Sequence, residues 1–366
     1  LLDAQYSIPG GHPVTLLRYL IAVSLFCAAS MLRPAMAASP AEEWAKGGMF
    51  FSWQSSLPEN KDRPVKVFYV CVGDETKPSM LLVHGFPTSS FDFRPLMADL
   101  GQDYRVCTFD FPGYGISDKP AAPYRYALGE DARLVWDFVT KIVPMKAFIL
   151  FSHDRGDSVA LNFLQLYQAA SPAPFKISHQ VLTNANMYLP LANLTDFQKV
   201  MLNPATSAAA VQRTTPEALA VGMGATQYTP PLPPDDPEIR GLAYNFAAQN
   251  GVAVIPATIQ YLNERKQFEV AFLDALAKSD VPVTLIWGLH DMVSPLRVAD
   301  HVWSAALNGR AAPASYWIAP CANHYLVHDQ PKDLAAILRS ELGQAPKTAP
   351  QNLTSEACSP VLVRRR

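Results

Sequence analysis

Apolar residues recur along this chain in two alternating rhythms. Apolar-rich stretches at 65–72, 79–83 and 104–109 read as strands, with helical spacing over 91–100 between the last two. The alternation continues with a helical pattern at 126–142, an apolar run at 147–151, helical spacing through 161–167 and a strand at 179–183. Strands alternating with helices predict a parallel sheet covered by helices on both faces. Then the rhythm stops. From 187 to 277 there are only helical stretches, at 196–202, 216–221 and 254–264, joined by Pro-rich connectors. It resumes with strands at 281–287 and 315–318 and helices at 296–307 and 332–342. A helical insert late in a parallel sheet predicts a cap over the C-terminal ends of the strands, where open α/β sheets bind ligands. The chain thus divides into a core over 45–186 and 278–343, a cap over 187–277 and a disordered tail over 344–366.

Composition excludes some functions and adds a location. With 366 residues and 49% apolar content the chain can bury a full core, and a net charge of −2 offers no basic surface for nucleic acid. Arg18, the apolar run 19–32 and Ala35-Met36-Ala37-Ala38 have the order of a secretory signal cleaved after about Ala37, which places 1–37 outside the fold. A secreted or periplasmic protein without a stable membrane partner is expected, with a retained N-terminal anchor as the alternative. Residues 1–15 carry no initiator Met and read as upstream sequence or a fragment start. Cys27 falls in the signal; Cys71, Cys107, Cys321 and Cys358 remain, and no spacing selects among their three possible pairings. Cys71 and Cys107 lie in predicted strands, where they also fit as small buried residues. No CxxC pair points to a metal, and no nucleotide or flavin motif appears.

Chemistry concentrates at Ser152-His153-Asp154-Arg155-Gly156, directly after an apolar run. Small residues at both ends of a pentapeptide between a strand and an amphipathic helix mark a nucleophile elbow, which presents its central residue on a sharp corner. That residue is Asp154, so the expected chemistry is displacement by a carboxylate rather than acyl transfer by a serine. Such a nucleophile needs oxyanion donors, a base to activate water and an acid to orient the base. His84-Gly85-Phe86-Pro87 ends the strand 79–83 and makes the Phe86 N–H one oxyanion donor, with the Arg155 N–H as the other. Asp291, just past the strand 281–287, is the candidate acid; its plainer reading is a helix cap. His324, nearest the end of the last predicted strand, is the candidate base, and His328 is its local competitor. His84 and His153 flank the two motifs and are candidates to contact substrate. The glycine-containing stretch 110–118 reads as a structural turn.

Taken together, the His84-Gly85-Phe86-Pro87-Thr88-Ser89-Ser90 segment, the 110–120 turn, the elbow, Asp291 and His324 resemble the α/β-hydrolase superfamily. Within it they are similar to the branch of epoxide hydrolases, haloalkane dehalogenases and fluoroacetate dehalogenases. Gln260-Tyr261-Leu262-Asn263-Glu264-Arg265-Lys266 also resembles the mesoderm-specific transcript family of that branch. The resemblance implies a mostly parallel eight-stranded sheet flanked by helices, with a helical cap inserted after the sixth strand. It further implies that Asp154 forms an alkyl ester, that His324 held by Asp291 activates the water that hydrolyses it, and that no cofactor is required.

The same resemblance bears on the electrophile. Haloalkane dehalogenases place a tryptophan after the nucleophile, and Arg155 in that position argues against a haloalkane. Fluoroacetate dehalogenases place an arginine there to bind a carboxylate, and add a second arginine three residues on, where this chain has Ser158. Epoxide hydrolases open the ring with cap tyrosines, for which Tyr261 is the best candidate, ahead of Tyr228 and Tyr244. The expectation is an epoxide hydrolase-type enzyme acting on a small molecule, with Arg155 and Tyr261 contacting it. A haloacid dehalogenase is the alternative, and a binding or signalling protein with a retained hydrolase fold is the third reading.

Overall fold

A computed structural model of the chain describes residues 38–170, 172–343 and 356–366. The expected signal, 1–37, lies outside the described residues, as do 344–355. The strands are β1 (Met49–Trp53), β2 (Val65–Val72), β3 (Ser79–Val83), β4 (Arg105–Phe109), β5 (Ala147–His153), β6 (Lys176–Thr183), β7 (Val283–Gly288), β8 (Ala314–Ala319) and β9 (Val361–Arg365). They form one sheet in the order β1-β2-β4-β3-β5-β6-β7-β8-β9. The central six run parallel, while β1, β2 and β9 pair antiparallel. Helices cover both faces, so β7 is buried along its whole length and β5 along all but its first residue. Continuous apolar runs, rather than alternation, are what such strands require.

Strand β3 pairs with both β4 and β5, so the chain turns one way out of β3 and the other way into β5. Loops leaving two adjacent strands in opposite directions open a crevice at the strands' carboxyl ends. The residues at its lip are those after Val83 and His153.

The cap follows β6, the sixth strand, as expected. Its main helices are Asp196–Leu202, Pro204–Val211, Pro216–Gln227, Pro237–Ala247 and Tyr261–Lys278. Three of them start on a proline, and the preceding Asn203, Thr215 and Asp236 side chains accept the first free N–H groups. Prolines that read as connectors are therefore partly helix starts.

Three boundaries differ from expectation. An unpredicted edge strand, β1, leaves Met49 and Phe50 exposed although four of its five residues are apolar. At the other edge, β9 makes the sheet nine-stranded rather than eight, and 356–366 is ordered rather than a disordered tail. The Tyr261–Lys278 helix outruns the predicted 254–264 stretch because Arg265 and Glu269, two of its inward residues, are charged and break the apolar period. The cysteines pair as Cys71–Cys107, which are register partners on β2 and β4, and as Cys321–Cys358, which ties the segment before β9 to the loop after β8.

Candidate active site

The elbow is built by close approach. A Cβ at Gly156 would sit 2.3 Å from the Val83 carbonyl oxygen, and one at Gly85 would sit 2.7 Å from the Asp154 Cβ. Only glycine lets the β3 loop and the start of the Arg155–Ala169 helix come this near. Asp154 takes φ 51° and ψ −116° at the corner, with its N–H donating to the Thr183 carbonyl (3.0 Å). Its carboxylate is held asymmetrically. The Phe86 N–H donates to Oδ2 at 2.8 Å, whereas Oδ1 is buried and has no partner among the described residues. Arg155 is the first residue of its helix, so its N–H belongs to the unpaired group at a helix N-terminus, where negative charge is favoured.

His324 and Asp291 arrive on the loops after β8 and β7. His324 Nδ1 lies 3.0 Å from Asp291 Oδ2, and His324 Nε2 lies 3.9 Å from Asp154 Oδ1. The other Asp291 oxygen accepts from the Val293 and Ser294 N–H groups at 2.8 Å each, so both oxygens are committed and the carboxylate cannot rotate. Burial works against a charged His324 ring, but Asp291 and then Asp154 outweigh it and raise its pKa to about 9. Asn184 joins the two loops. Its amide donates to the Asn323 and His324 carbonyls (2.7 and 2.9 Å), and its oxygen accepts from the Gly288 N–H (2.8 Å). All three of these partners are backbone groups.

A second cluster adjoins the elbow. The Arg155 guanidinium is buried, ion-paired to Asp131 and packed on the Phe111, Tyr114 and Tyr261 rings at 5.0, 5.0 and 5.5 Å. Arg265, which sequence reasoning did not single out, enters from the cap. Its Nε donates to Ser158 Oγ at 2.5 Å and one terminal nitrogen to the Asp154 carbonyl at 3.4 Å. Its neighbour Glu264 accepts the Leu128 N–H at 2.8 Å, capping a core helix. The signal was present: Tyr261 and Arg265 stand four apart and so share a helix face. Tyr261 is buried against Phe86, ring centroids 5.6 Å apart, with its hydroxyl unpartnered among the described residues.

Other candidates fall away from substrate. His84 is fully buried, with Nδ1 donating to the Gly85 carbonyl (2.8 Å) and Nε2 accepting the Phe111 N–H (3.0 Å), so no ring nitrogen remains for a ligand. It fastens the Phe86 loop to the 110–118 turn instead, and burial lowers its pKa to about 3. Thr183 Oγ1 gives its proton to the Ser152 carbonyl and so accepts from His153 Nδ1 (3.2 Å), which makes His153 a neutral packing partner of His324. Tyr228 stacks on Tyr325, and Tyr244 is exposed on the cap. A cavity of about 20 Å³ touches Phe86, Val293 and His324 from below and Leu219, Met223 and Gln227 from the cap, enough for about one water beside the imidazole. Among the described residues no cluster of His, Cys, Asp or Glu is arranged to hold a metal.

Comparison with known proteins agrees with this fold. Residues 78–331 match the alpha/beta hydrolase fold family. The chain is 31% identical to LipZ of Mycobacterium tuberculosis (strain H37Rv) over 301 residues, covering 82% of this chain and 97% of LipZ. It is 28% identical to the human mesoderm-specific transcript homolog protein over 75% of this chain and 81% of that one. Epoxide hydrolase 3 of Xenopus tropicalis matches at 26% over 77% and 76%. Among solved structures, haloalkane dehalogenase DbeA of Bradyrhizobium elkani superposes with a TM-score of 0.63 at 18% identity, covering 81% of this chain and 98% of DbeA.

Proposed function

The chain belongs to the alpha/beta hydrolase fold family, and within it we propose a hydrolase that works through an alkyl ester on Asp154, with an epoxide as substrate. The observation that carries this reading is the divided carboxylate: Oδ2 held by the Phe86 N–H, Oδ1 free and facing His324 across 3.9 Å. Oδ1 attacks a ring carbon, the ring C–O bond breaks, and the departing oxygen takes a proton, for which the unpartnered Tyr261 hydroxyl is the candidate donor. His324 Nε2 then removes a proton from water, the hydroxide adds to Asp154 Cγ, and the Phe86 and Arg155 N–H groups stabilise the oxyanion. Collapse expels the alkoxide, which takes the proton from His324 to give the diol, and the proton left on the Asp154 carboxyl returns to the Tyr261 oxygen. Ester formation removes the Asp154 charge that helps to hold the His324 proton, so the first step prepares the base for the second.

One observation favours a haloacid as a second reading. Arg265 occupies the space beside Ser158, so two buried guanidiniums flank the elbow, and each has an unpartnered N–H among the described residues. Against it stands the ion pair that already neutralises Arg155. The two disulfides support an exported location, since such bonds persist in oxidising compartments.

A single turnover in heavy-oxygen water decides the mechanism. The label is expected in the Asp154 side chain, and His324→Gln is expected to accumulate the ester as a mass increase on the protein. Product labelled directly, with none in Asp154, would remove the covalent mechanism. Failure to trap any ester from epoxides and haloacetates alike would favour the non-catalytic reading.

A further inference from the structure

The small cavity beside His324 adjoins a larger one. It shares Thr195, Phe197, Leu219, Met223 and Gln227 with a second cavity of about 330 Å³, within the range of ligand pockets. The walls change outward: Leu219 and Met223 are buried, whereas Arg213, Ala218, Gly222 and Thr226 are exposed at the outer part. One helix, Pro216–Gln227, forms the long wall, with Ala218, Gly222 and Thr226 repeating every four residues on one side. From 218 to 227 that helix rises about 14 Å, the reach of an aliphatic chain of about ten carbons. Among the described residues, Arg213 is the one charged side chain lining the space. At the inner end, the Asn323 side chain donates to the Thr226 carbonyl (3.1 Å), which ties this wall to the loop bearing His324.

We propose that this funnel binds the non-reacting part of the substrate, an unbranched apolar chain of about ten carbons with a carboxylate at its far end, on Arg213. Apolar burial then supplies the affinity, and Arg213 sets the preferred terminus. Which end reacts rests on the proposed Asp154 chemistry, but the binding itself does not.

Calorimetric titration of the wild-type protein with n-alkanols from butanol to decanol, and with decanoate, separates binding from reaction. Affinity is expected to rise about two- to fourfold per methylene. Decanoate is expected to bind several-fold more tightly than decanol at low salt, and Arg213→Gln to abolish that difference. A Cβ added at Gly222 meets nothing within 4 Å, so Gly222→Trp fills the outer part without disturbing the helix. It is expected to remove the advantage of decanol over butanol while Gly222→Ala keeps it, and retained butanol binding reports an intact fold. Affinity that is flat with chain length, or unchanged by Gly222→Trp, overturns the proposal. Turnover separates the two ideas: long and short terminal epoxides both left intact would sink the epoxide reading while the binding result stands. Turnover without any chain-length preference would sink the funnel alone.

Discussion

Two groups of side chains meet at Asp154, and they treat the space around it differently. Arg155, Asp131, Tyr114 and Tyr261 fill theirs, with the charges paired and the cation packed on rings. His324, Phe86, Leu219 and Met223 leave a cavity. Both groups are buried, but the first is built around an ion pair, whereas Phe86, Leu219 and Met223 face the cavity with apolar side chains. A buried guanidinium demands a partner, so the polar group closes upon itself. Apolar walls make no such demand and forgo only dispersion contacts when space is left between them. The residue after the nucleophile, from which the electrophile was inferred by resemblance, stands in the closed group. In this chain the open group is the better guide to substrate.

The largest effect should come from breaking the closed group. Burial lifts the Asp131 carboxyl to about 6 in spite of Arg155, while the Arg155 guanidinium is held above its ordinary range against burial by Tyr114 and Asp131, so each buried charge depends on the other. Removing one partner strands the other: Asp131→Leu is expected to lose about 3–5 kcal/mol of stability, on the order of 10 °C in Tm. The double variant Asp131→Leu/Arg155→Met should regain most of that loss. Thermal melting reads both. A stable Asp131→Leu that had instead lost turnover of a haloacetate would show that the cluster holds substrate, and the contrast drawn above would fail.

On the open side the sharpest handle is pH. In the proposed mechanism His324 must be neutral to take a proton from water, and its pKa of about 9 is held up partly by the Asp154 charge. The ester has no such charge, so in that state the pKa lies below about 9. Ester hydrolysis should therefore rise with pH and level off below that value, whereas ester formation should show no dependence on His324 losing its proton. Pre-steady-state mixing separates the two rates. A hydrolysis rate that falls as pH rises through neutrality would exclude His324 as the base.

Arg265 tests whether the two groups communicate. It touches the Asp154 carbonyl from the cap while packing 5.0 Å from the Tyr261 ring. Arg265→Lys keeps the charge but lacks the fork that reaches both Ser158 and Asp154. A kcat loss of about tenfold with little change in KM is expected. Full activity in Arg265→Lys would mean that only the charge matters.

Much of this was legible in the chain because the core obeys local rules. Helical spacing and apolar runs located seven of the strands, and the elbow and its partners sit at strand ends where topology brings them together. The cap was less legible because its inward faces carry Arg265 and Glu269, whose partners are distant in sequence. Nothing local announces that Glu269 will accept the Leu189 N–H, 80 positions away. His84 misled for a related reason: a histidine beside a motif looks reactive until both its nitrogens are found on backbone groups. The edge strands β1 and β9 were missed although both contain short apolar runs, because they lie outside the strand–helix alternation by which the core was read.

The smallest expected effect separates two histidines four residues apart. His328 lies one turn beyond His324, on the short helix Leu326–Asp329, with its ring edge-on to Tyr228 at 5.1 Å. Its charge partners are Asp329 at 3.7 Å and Glu238 at 4.0 Å, neither of which reaches Asp154 or Asp291. A partly exposed pair of this kind contributes about 0–1 kcal/mol. His328→Gln should therefore leave kcat within about twofold, since it alters no group that stabilises the transition state. His324→Gln should stop turnover at the ester. Equal losses in the two variants would mean that the base had been assigned to the wrong ring, and that the open cavity beside His324 is not where water is activated.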